Sequence, residues 1–320
     1  MSTPPPPPRN PQSQTPACYR HPDRQATLRC TRCERPICIE DAIEAPVGYQ
    51  CPVCAEGGQP VRRMADIATA PVTRVLVVTI GVLFVVSTLL PEVTNQFGLR
   101  PVLLAPGGPD LFAAVAGFYN PNPITSAAGE PWLIVTSGFL HANLMHVGFN
   151  GLLLWQLGHM LEPALGRGRF IALYAAGLAG GGLGVVALGW LATTLGLEGA
   201  GDTVMSTLGG NPFTPTIGAS GAVFGLMGAA VVGLRQRGIN PWKTSIGGLV
   251  LINLVLTFVV PGISVGGHVG GLIGGFVAGK LLFVDREKAS RATVIVSIIA
   301  VAMVLISIAL SAAIVSSLTF

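Results

Sequence analysis

The sequence predicts an all-α polytopic membrane protein with a small metal-binding domain near its N-terminus. Three observations lead there. Half of the 320 residues are hydrophobic and 11% are charged, with a mean hydropathy of +0.63, whereas a soluble domain needs far more charge to cover its surface. Seven apolar segments are long enough to span a bilayer. All six cysteines fall between Cys18 and Cys54, in pairs spaced as metal ligands are. The net charge of +4 is small, so the placement of the charges is more informative than their sum.

The chain opens on "MSTPPPPPRNPQSQTP", residues 1–16. This stretch has no apolar core segment, so it is expected to be a disordered, polyproline-like leader and no signal peptide. Residues 17–55 follow with the pattern C-x2-H-x8-C-x2-C-x4-C-x2-D-x9-C-x2-C. Each two-residue gap lets one tight turn present two ligands to a metal. The four pairs Cys18/His21, Cys30/Cys33, Cys38/Asp41 and Cys51/Cys54 suffice for two tetrahedral Zn²⁺ ions. A single ion held by the two C-x2-C pairs is the alternative. The spacing fits ligation in a reducing compartment better than a disulfide scaffold. So short a segment has little core, and metal would supply much of its folding energy. Residues 56–71 read as a linker.

The seven spans are expected at roughly 72–91, 143–162, 169–192, 217–234, 244–260, 266–284 and 292–318. Lys and Arg set their orientation. Arg62, Arg63 and Arg74 stand at the first span, and Arg167 and Arg169 between the second and third. Arg235, Arg237 and Lys243 lie between the fourth and fifth, and Lys280, Arg286, Lys288 and Arg291 after the sixth. The alternate loops carry Arg100 alone. The N-terminal region is therefore expected in the cytoplasm and the C-terminus outside, in a multi-pass protein of the cell membrane. The absence of a visible internal repeat disfavours an inverted-repeat transporter. The outer loop 92–142 is long enough to suggest function.

Polar groups inside spans are costly and mark function. Span two opens with "HANLMHVGFN", which supplies His141, His146 and Asn150, the last two sharing a helix face at i, i+4. Span four opens with "GASGAVFG" around Ser220, and span six with "GGHVGG" around His268. All three spans run from outside to inside, so His146, Ser220 and His268 lie at similar depth in the outer leaflet. Gly267, Gly271, Gly275 and Gly279 form a stripe along span six. Span four offers Gly218, Gly221, Gly225 and Gly228. Helices meeting through such stripes approach closely, which would bring Ser220 within reach of His268. A neutral histidine can take the proton that makes a serine nucleophilic. His146, Asn150 and the Ser220 backbone N–H are candidate donors to an oxyanion. No acidic residue lies in the outer half of a span, so the site would be a Ser–His dyad.

Those three motifs, in this order and on these spans, resemble the signature regions of the rhomboid intramembrane serine proteases. The resemblance covers about 75–284, within a protease core of residues 72–284, and makes 285–320 an additional transmembrane helix. It implies a six-helix rhomboid core with Ser220 as nucleophile, His268 as base, and His146 and Asn150 in the oxyanion hole. It casts His141 and Trp132 as residues that organise the first loop. Gly218 and Phe224 support the nucleophile and the base. Phe224 stands where many relatives have tyrosine, and Leu133 follows Trp132 where many have arginine. The substrates implied are single-span membrane proteins, cut near the outer face of the bilayer without a catalytic cofactor. Loops 92–142 and 261–265 would cover the site, and substrate would enter beside span five. The competing reading is a rhomboid-like membrane binder or chaperone without activity. The head resembles a B-box zinc finger. That resemblance implies a crossed arrangement, with Cys18, His21, Cys38 and Asp41 on one ion and Cys30, Cys33, Cys51 and Cys54 on the other. It also implies a cytoplasmic protein partner, in preference to nucleic acid or anionic lipid at Arg20, Arg24, Arg29, Arg32 and Arg35. Plainer roles are expected elsewhere: His159 and Glu162 as a local pair, and Asn253 as a link between helices.

Overall fold

A computed structural model describes residues 16–45, 48–56, 70–108, 129–197 and 211–318. The leader up to residue 15, the linker from 57 to 69 with Arg62 and Arg63, and positions 109–128 and 198–210 lie outside them. The chain divides into two compact units, Met1–Ile67 and Ala68–Phe320.

The larger unit is helical, and helices stand at each of the seven apolar segments. They are α1 (Pro71–Leu89), α2 (Leu144–Leu165), α3 (Arg167–Thr194), α4 (Ser220–Gln236), α5 (Ser245–Val259), α6 (Val265–Leu282) and α7 (Ala289–Leu318). Among the described residues, α1, α3, α6 and α7 are long and apolar enough to cross a membrane, and α5 is a shorter apolar helix. The other two depart from that measure for identifiable reasons. Helix α4 has 17 residues, and α2 carries His146, Asn150, Gln156, His159 and Glu162 along its length.

Side-chain caps open α2 and α6. Asn143 accepts from the His146 N–H (2.9 Å) to open α2, and Ser264 accepts from the Gly267 N–H (3.1 Å) to open α6. Helix α1 has no cap of its own. Its first N–H groups are taken by a carboxylate from another helix. Glu162 of α2, itself buried, accepts from the N–H of Val72 (3.0 Å) and Thr73 (2.8 Å) and from the Thr73 hydroxyl (2.8 Å). An anion at a helix N-terminus satisfies orphan donors and complements the dipole. His159 turns instead to the Trp155 carbonyl (2.8 Å). The expected His159–Glu162 pair is therefore replaced by two separate roles. Asn253 likewise stays within its own helix, donating to the Leu249 carbonyl (2.8 Å). At the same end of the bundle as Glu162, Arg169 donates to the carbonyls of Leu282 and Val284 (both 3.0 Å), closing the C-terminus of α6.

Helices α3, α4 and α6 form the centre. Every residue of α4 from Gly221 to Gly233 is buried. Helix α6 meets α4 along the expected stripe. A Cβ added at Gly271 would strike the Gly221 carbonyl, and one at Gly275 would strike Gly225. At Gly279 it would stand 2.9 Å from the Ala229 Cα. Gly267 departs from the pattern, since its nearest neighbours are the Ser264 cap and Val185 of α3. The adjacent face of α6 has a second stripe, Gly266, Gly270 and Gly274, packed on Gly184, Gly180 and Ala176 of α3. Two glycine faces one position apart let α6 touch both neighbours backbone to backbone. The outward faces of α1, α5 and α7 carry exposed Val75, Val78, Leu256, Phe258, Ile298 and Leu305.

The described parts of loop 92–142 fold back onto this bundle. Leu99, Val102, Leu103, Leu104, Leu133 and Ile134 form one buried cluster with Val185 and Val186 of α3 and Ile314 and Val315 of α7. The Ala105 N–H donates to Ser311 of α7 (3.1 Å). Leu99 and Thr216 exchange backbone hydrogen bonds (3.0 and 2.8 Å), tying the loop to the segment before α4.

The smaller unit holds two antiparallel hairpins, β1 (Leu28–Arg29) with β2 (Pro36–Ile37) and β3 (Ile43–Glu44) with β4 (Tyr49–Gln50). A five-residue helical turn, Pro52–Glu56, follows. Its core is Cys30, Ile37 and Cys51, packed by Tyr19, Leu28, Cys33, Ala42 and Cys54. Four of those eight are themselves candidate ligands, so apolar burial alone offers this fold little.

Candidate functional site

Ser220 is the first residue of α4, where the dipole presents its positive end and the first N–H groups lack helical partners. The preceding residues hold it there. Gly218 adopts φ +133°, a conformation that a side chain resists. Its N–H donates to the Ser137 carbonyl (2.9 Å). A Cβ at Gly218 would lie 2.7 Å from His146 Nε2 and 3.6 Å from Ser220 Oγ. The serine hydroxyl and the His146 ring thus border one small volume that only glycine leaves open.

His268 lies in the first turn of α6. Phe224, one turn after Ser220, stacks on its ring with centroids 4.1 Å apart and planes at 23°. An aromatic stack of this kind holds an imidazole against rotation. Thr257 of α5 meets the edge of the His268 ring, with Oγ1 2.7 Å from Nδ1. No hydrogen bond joins Ser220 to His268 among the described residues; catalytic hydrogen bonds in unliganded sites are often long and tighten on binding.

On α2 the ring geometry points to defined tautomers. His146 Nδ1 faces the Ala142 N–H at 3.4 Å, which leaves Nε2 to carry the proton toward Gly218 and Ser220. Asn150 is buried and donates one amide hydrogen to the His146 carbonyl (3.0 Å); its second hydrogen stays free for another acceptor. His141 is buried beside His146, with centroids 4.9 Å apart and planes at 67°. Its Nε2 lies 3.4 Å from the Ala219 N–H. It therefore joins the first loop to the residue before the nucleophile. Trp132 starts the short helix Leu133–Thr136, with its side chain half exposed. Leu133 after it is fully buried in the loop cluster, so apolar contact anchors this part of the loop.

Sequence reasoning did not find Thr257, Glu162 as a cap, or the glycine face of α3. The signal for Thr257 was slight: one hydroxyl near the outer end of an apolar span.

In the smaller unit the eight cysteine, histidine and aspartate residues gather into two clusters. Cys30, Cys33, Cys51 and Cys54 form one, and Cys18, His21, Cys38 and Asp41 the other, with ligand atoms in each within 4.8 Å of one another. This is the crossed partition. No disulfide links these cysteines. Cys33 and Cys51 sulfurs are 3.8 Å apart, about the edge of a tetrahedron with Zn–S bonds of ~2.3 Å and far beyond a disulfide bond. In the mixed cluster, His21 Nδ1 lies 3.9 Å from Cys18 Sγ, 3.5 Å from Cys38 Sγ and 3.2 Å from Asp41 Oδ2. Tight turns present the pairs: the N–H of Glu34 donates to the Cys30 carbonyl (2.9 Å), and that of Cys54 to Cys51 (3.0 Å). Burial raises the Cys30 thiol, but backbone donors at Cys51, Arg32 and Cys33 together bring it down to about 6. Cys54, beside the Cys51 and Cys33 sulfurs, is pushed up to about 12. Four thiols so placed shed all their protons only when a cation compensates them. The donor sets fit Zn²⁺. The head's arginines serve its own groups. Arg20 meets Asp41 at 3.4 Å, Arg24 meets Glu40, Arg29 and Arg32 donate to backbone carbonyls, and Arg35 lies over the Tyr19 ring.

Comparison with known proteins bears on the family of the chain. Residues 128–285 match the family model described as Rhomboid domain. The chain is 32% identical over 146 residues to the rhomboid protease GluP of Bacillus subtilis (strain 168), covering 44% of this chain and 24% of that protein. It is 31% identical over 117 residues to the rhomboid protease AarA of Providencia stuartii, covering 36% and 38% respectively. Against the mitochondrial rhomboid protein 1 of Saccharomyces cerevisiae (strain ATCC 204508 / S288c) it is 33% identical over 95 residues, covering 30% and 23%. The chain thus spans well under half the length of each of these relatives. A rhomboid domain over residues 128–285, carried by a helical bundle with apolar spans, supports the rhomboid family for this chain.

Proposed function

We propose that this protein is an intramembrane serine endopeptidase that cuts single-span membrane proteins near the outer face of the bilayer. The observation that carries the reading is the Phe224–His268 stack at the head of the α4–α6 interface, one turn from Ser220. Ser220 Oγ attacks the scissile carbonyl while His268 Nε2 takes its proton and later hands it to the leaving amine. The oxyanion receives the Ser220 N–H, the His146 Nε2–H and the free Asn150 amide hydrogen. His141, Trp132 and Gly218 hold the surrounding loop and turn. The substrate helix must unwind at the cut, because a helical peptide bond is shielded by its own turn.

The bundle is read as six helices, α1 to α6, plus α7 as an additional span. The N-terminal head lies in the cytoplasm and the C-terminus outside. The head carries two structural Zn²⁺ ions and docks a cytoplasmic protein, with no cofactor taking part in catalysis. The names of the relatives and the matched domain support the protease reading. The two clusters of ligand atoms support the metal.

The test is a fluorophosphonate probe on detergent-purified protein, with single-span model substrates in liposomes. Wild type should be labelled and should cleave; Ser220→Ala and His268→Ala should do neither. Folded wild type that never labels would favour the inactive membrane binder.

A further inference from the structure

The base has a partner beyond the serine it serves. Thr257 is 1% exposed, and its Oγ1 makes two contacts of 2.7 Å, one to the Asn253 carbonyl of its own helix and one to His268 Nδ1. A hydroxyl has one proton to give. The Asn253 carbonyl can only accept, so that proton goes to it. The contact to His268 is then favourable in one sense only, with Nδ1–H donating to the threonine oxygen. Were Nδ1 bare, two lone pairs would face each other at hydrogen-bond distance.

We propose that Thr257 is the positioning residue of the catalytic base, fixing His268 as the Nδ1–H tautomer so that Nε2 keeps its lone pair for the Ser220 proton. This rests on the Ser220–His268 reading above. It assigns the third position of the constellation, where no carboxylate stands among the described residues, to a neutral hydroxyl. Phe224 and Thr257 then divide the task. The aromatic ring restrains the plane of the imidazole, and the hydroxyl sets its tautomer and its rotation in that plane. Placement on α5 adds a consequence. The buried residues of α5 are Ile246, Gly247, Val250 and Thr257, so Thr257 alone is buried in the outer half of this helix. Its neighbours Leu256, Phe258 and Val259 are exposed. The hydroxyl that orients the base is thus also the point where the outer end of α5 is held to α6.

The variants are Thr257→Val, which keeps the shape and deletes the hydroxyl, and Thr257→Ser, which restores it. Substrate cleavage is measured beside wild type, Ser220→Ala and His268→Ala, and the tautomer of His268 is read by ¹⁵N NMR of histidine-labelled protein. Thr257→Val should lower kcat about three- to tenfold, the worth of one neutral hydrogen bond, with KM unchanged. Thr257→Ser should recover most of the loss. Wild-type His268 should show protonated Nδ1 and bare Nε2, and Thr257→Val a mixture of tautomers. Wild-type kcat in Thr257→Val together with an unchanged single tautomer would overturn the proposal. So would a wild-type His268 protonated on Nε2 alone. Cleavage that survives Ser220→Ala would defeat the dyad itself, and the NMR spectrum would still decide the Thr257–His268 bond.

Discussion

The backbone contact between α4 and α6 offers a direct perturbation, Gly228→Ala. Gly228 lies two turns below Ser220, and a Cβ there would stand 2.5 Å from the Leu272 carbonyl oxygen, 2.9 Å from the Phe276 nitrogen and 3.3 Å from the Phe276 Cα. All three atoms are backbone, so no side chain can turn aside. Restoring an ordinary contact of at least 3.4 Å requires the helices to part by about 0.9 Å. Overfilling a packed interface in this way costs about 1–3 kcal/mol. The same shift separates Ser220 from His268, and a misplacement near 1 Å lowers catalysis on the order of 10²-fold. Gly81→Ala on α1 is the control, because a Cβ there meets nothing within 4 Å. Relieving a helical glycine there should stabilise by up to about 1 kcal/mol. The temperature of thermal unfolding in detergent and the rate of fluorophosphonate labelling should both fall for Gly228→Ala, whereas neither should fall for Gly81→Ala. A Gly228→Ala protein as stable and reactive as wild type would show that these two helices do not meet through their backbones.

Three further outcomes are expected. Glu162→Gln keeps the size of the α1 cap but removes its charge, and should cost about 1 kcal/mol in unfolding measurements while probe labelling per folded molecule is unchanged. Ser311→Ala leaves the buried Ala105 N–H without its acceptor, at about 1–3 kcal/mol, and limited proteolysis should then cut loop 97–105 faster. Purified protein should contain two zinc ions per chain by elemental analysis, falling to one in Cys30→Ser; chelation should expose the head to protease and leave the α1–α7 bundle intact.

The elements most legible in the sequence were those set by local pattern. Seven apolar runs marked seven helices to within a few residues. C-x2-C spacing marked the ligand pairs, because a knuckle is a property of four consecutive residues. The glycines of α6 foretold close contact with α4. The second face at Gly266, Gly270 and Gly274 was present in the same letters and was not read, since a helix so rich in glycine leaves every face open to a partner. Glu162 looked like half of a local pair because His159 is three residues away; the nearer unsatisfied donors belonged to α1, about ninety positions earlier in the chain.

By itself, the sequence determined which segments leave water, because transfer of apolar surface is a sum over neighbouring residues. It also placed His146, Asn150, Ser220 and His268 near the N-terminal ends of α2, α4 and α6. The tertiary structure decided what each of them touches. Phe224 lies on the His268 ring, Thr257 meets Nδ1, Leu133 is buried against α3, and loop 97–105 rests on α7. The reason is geometric. A period of 3.6 residues says which side chains share a face, but two helices meet through contacts whose separation in sequence is unrelated to their separation in space.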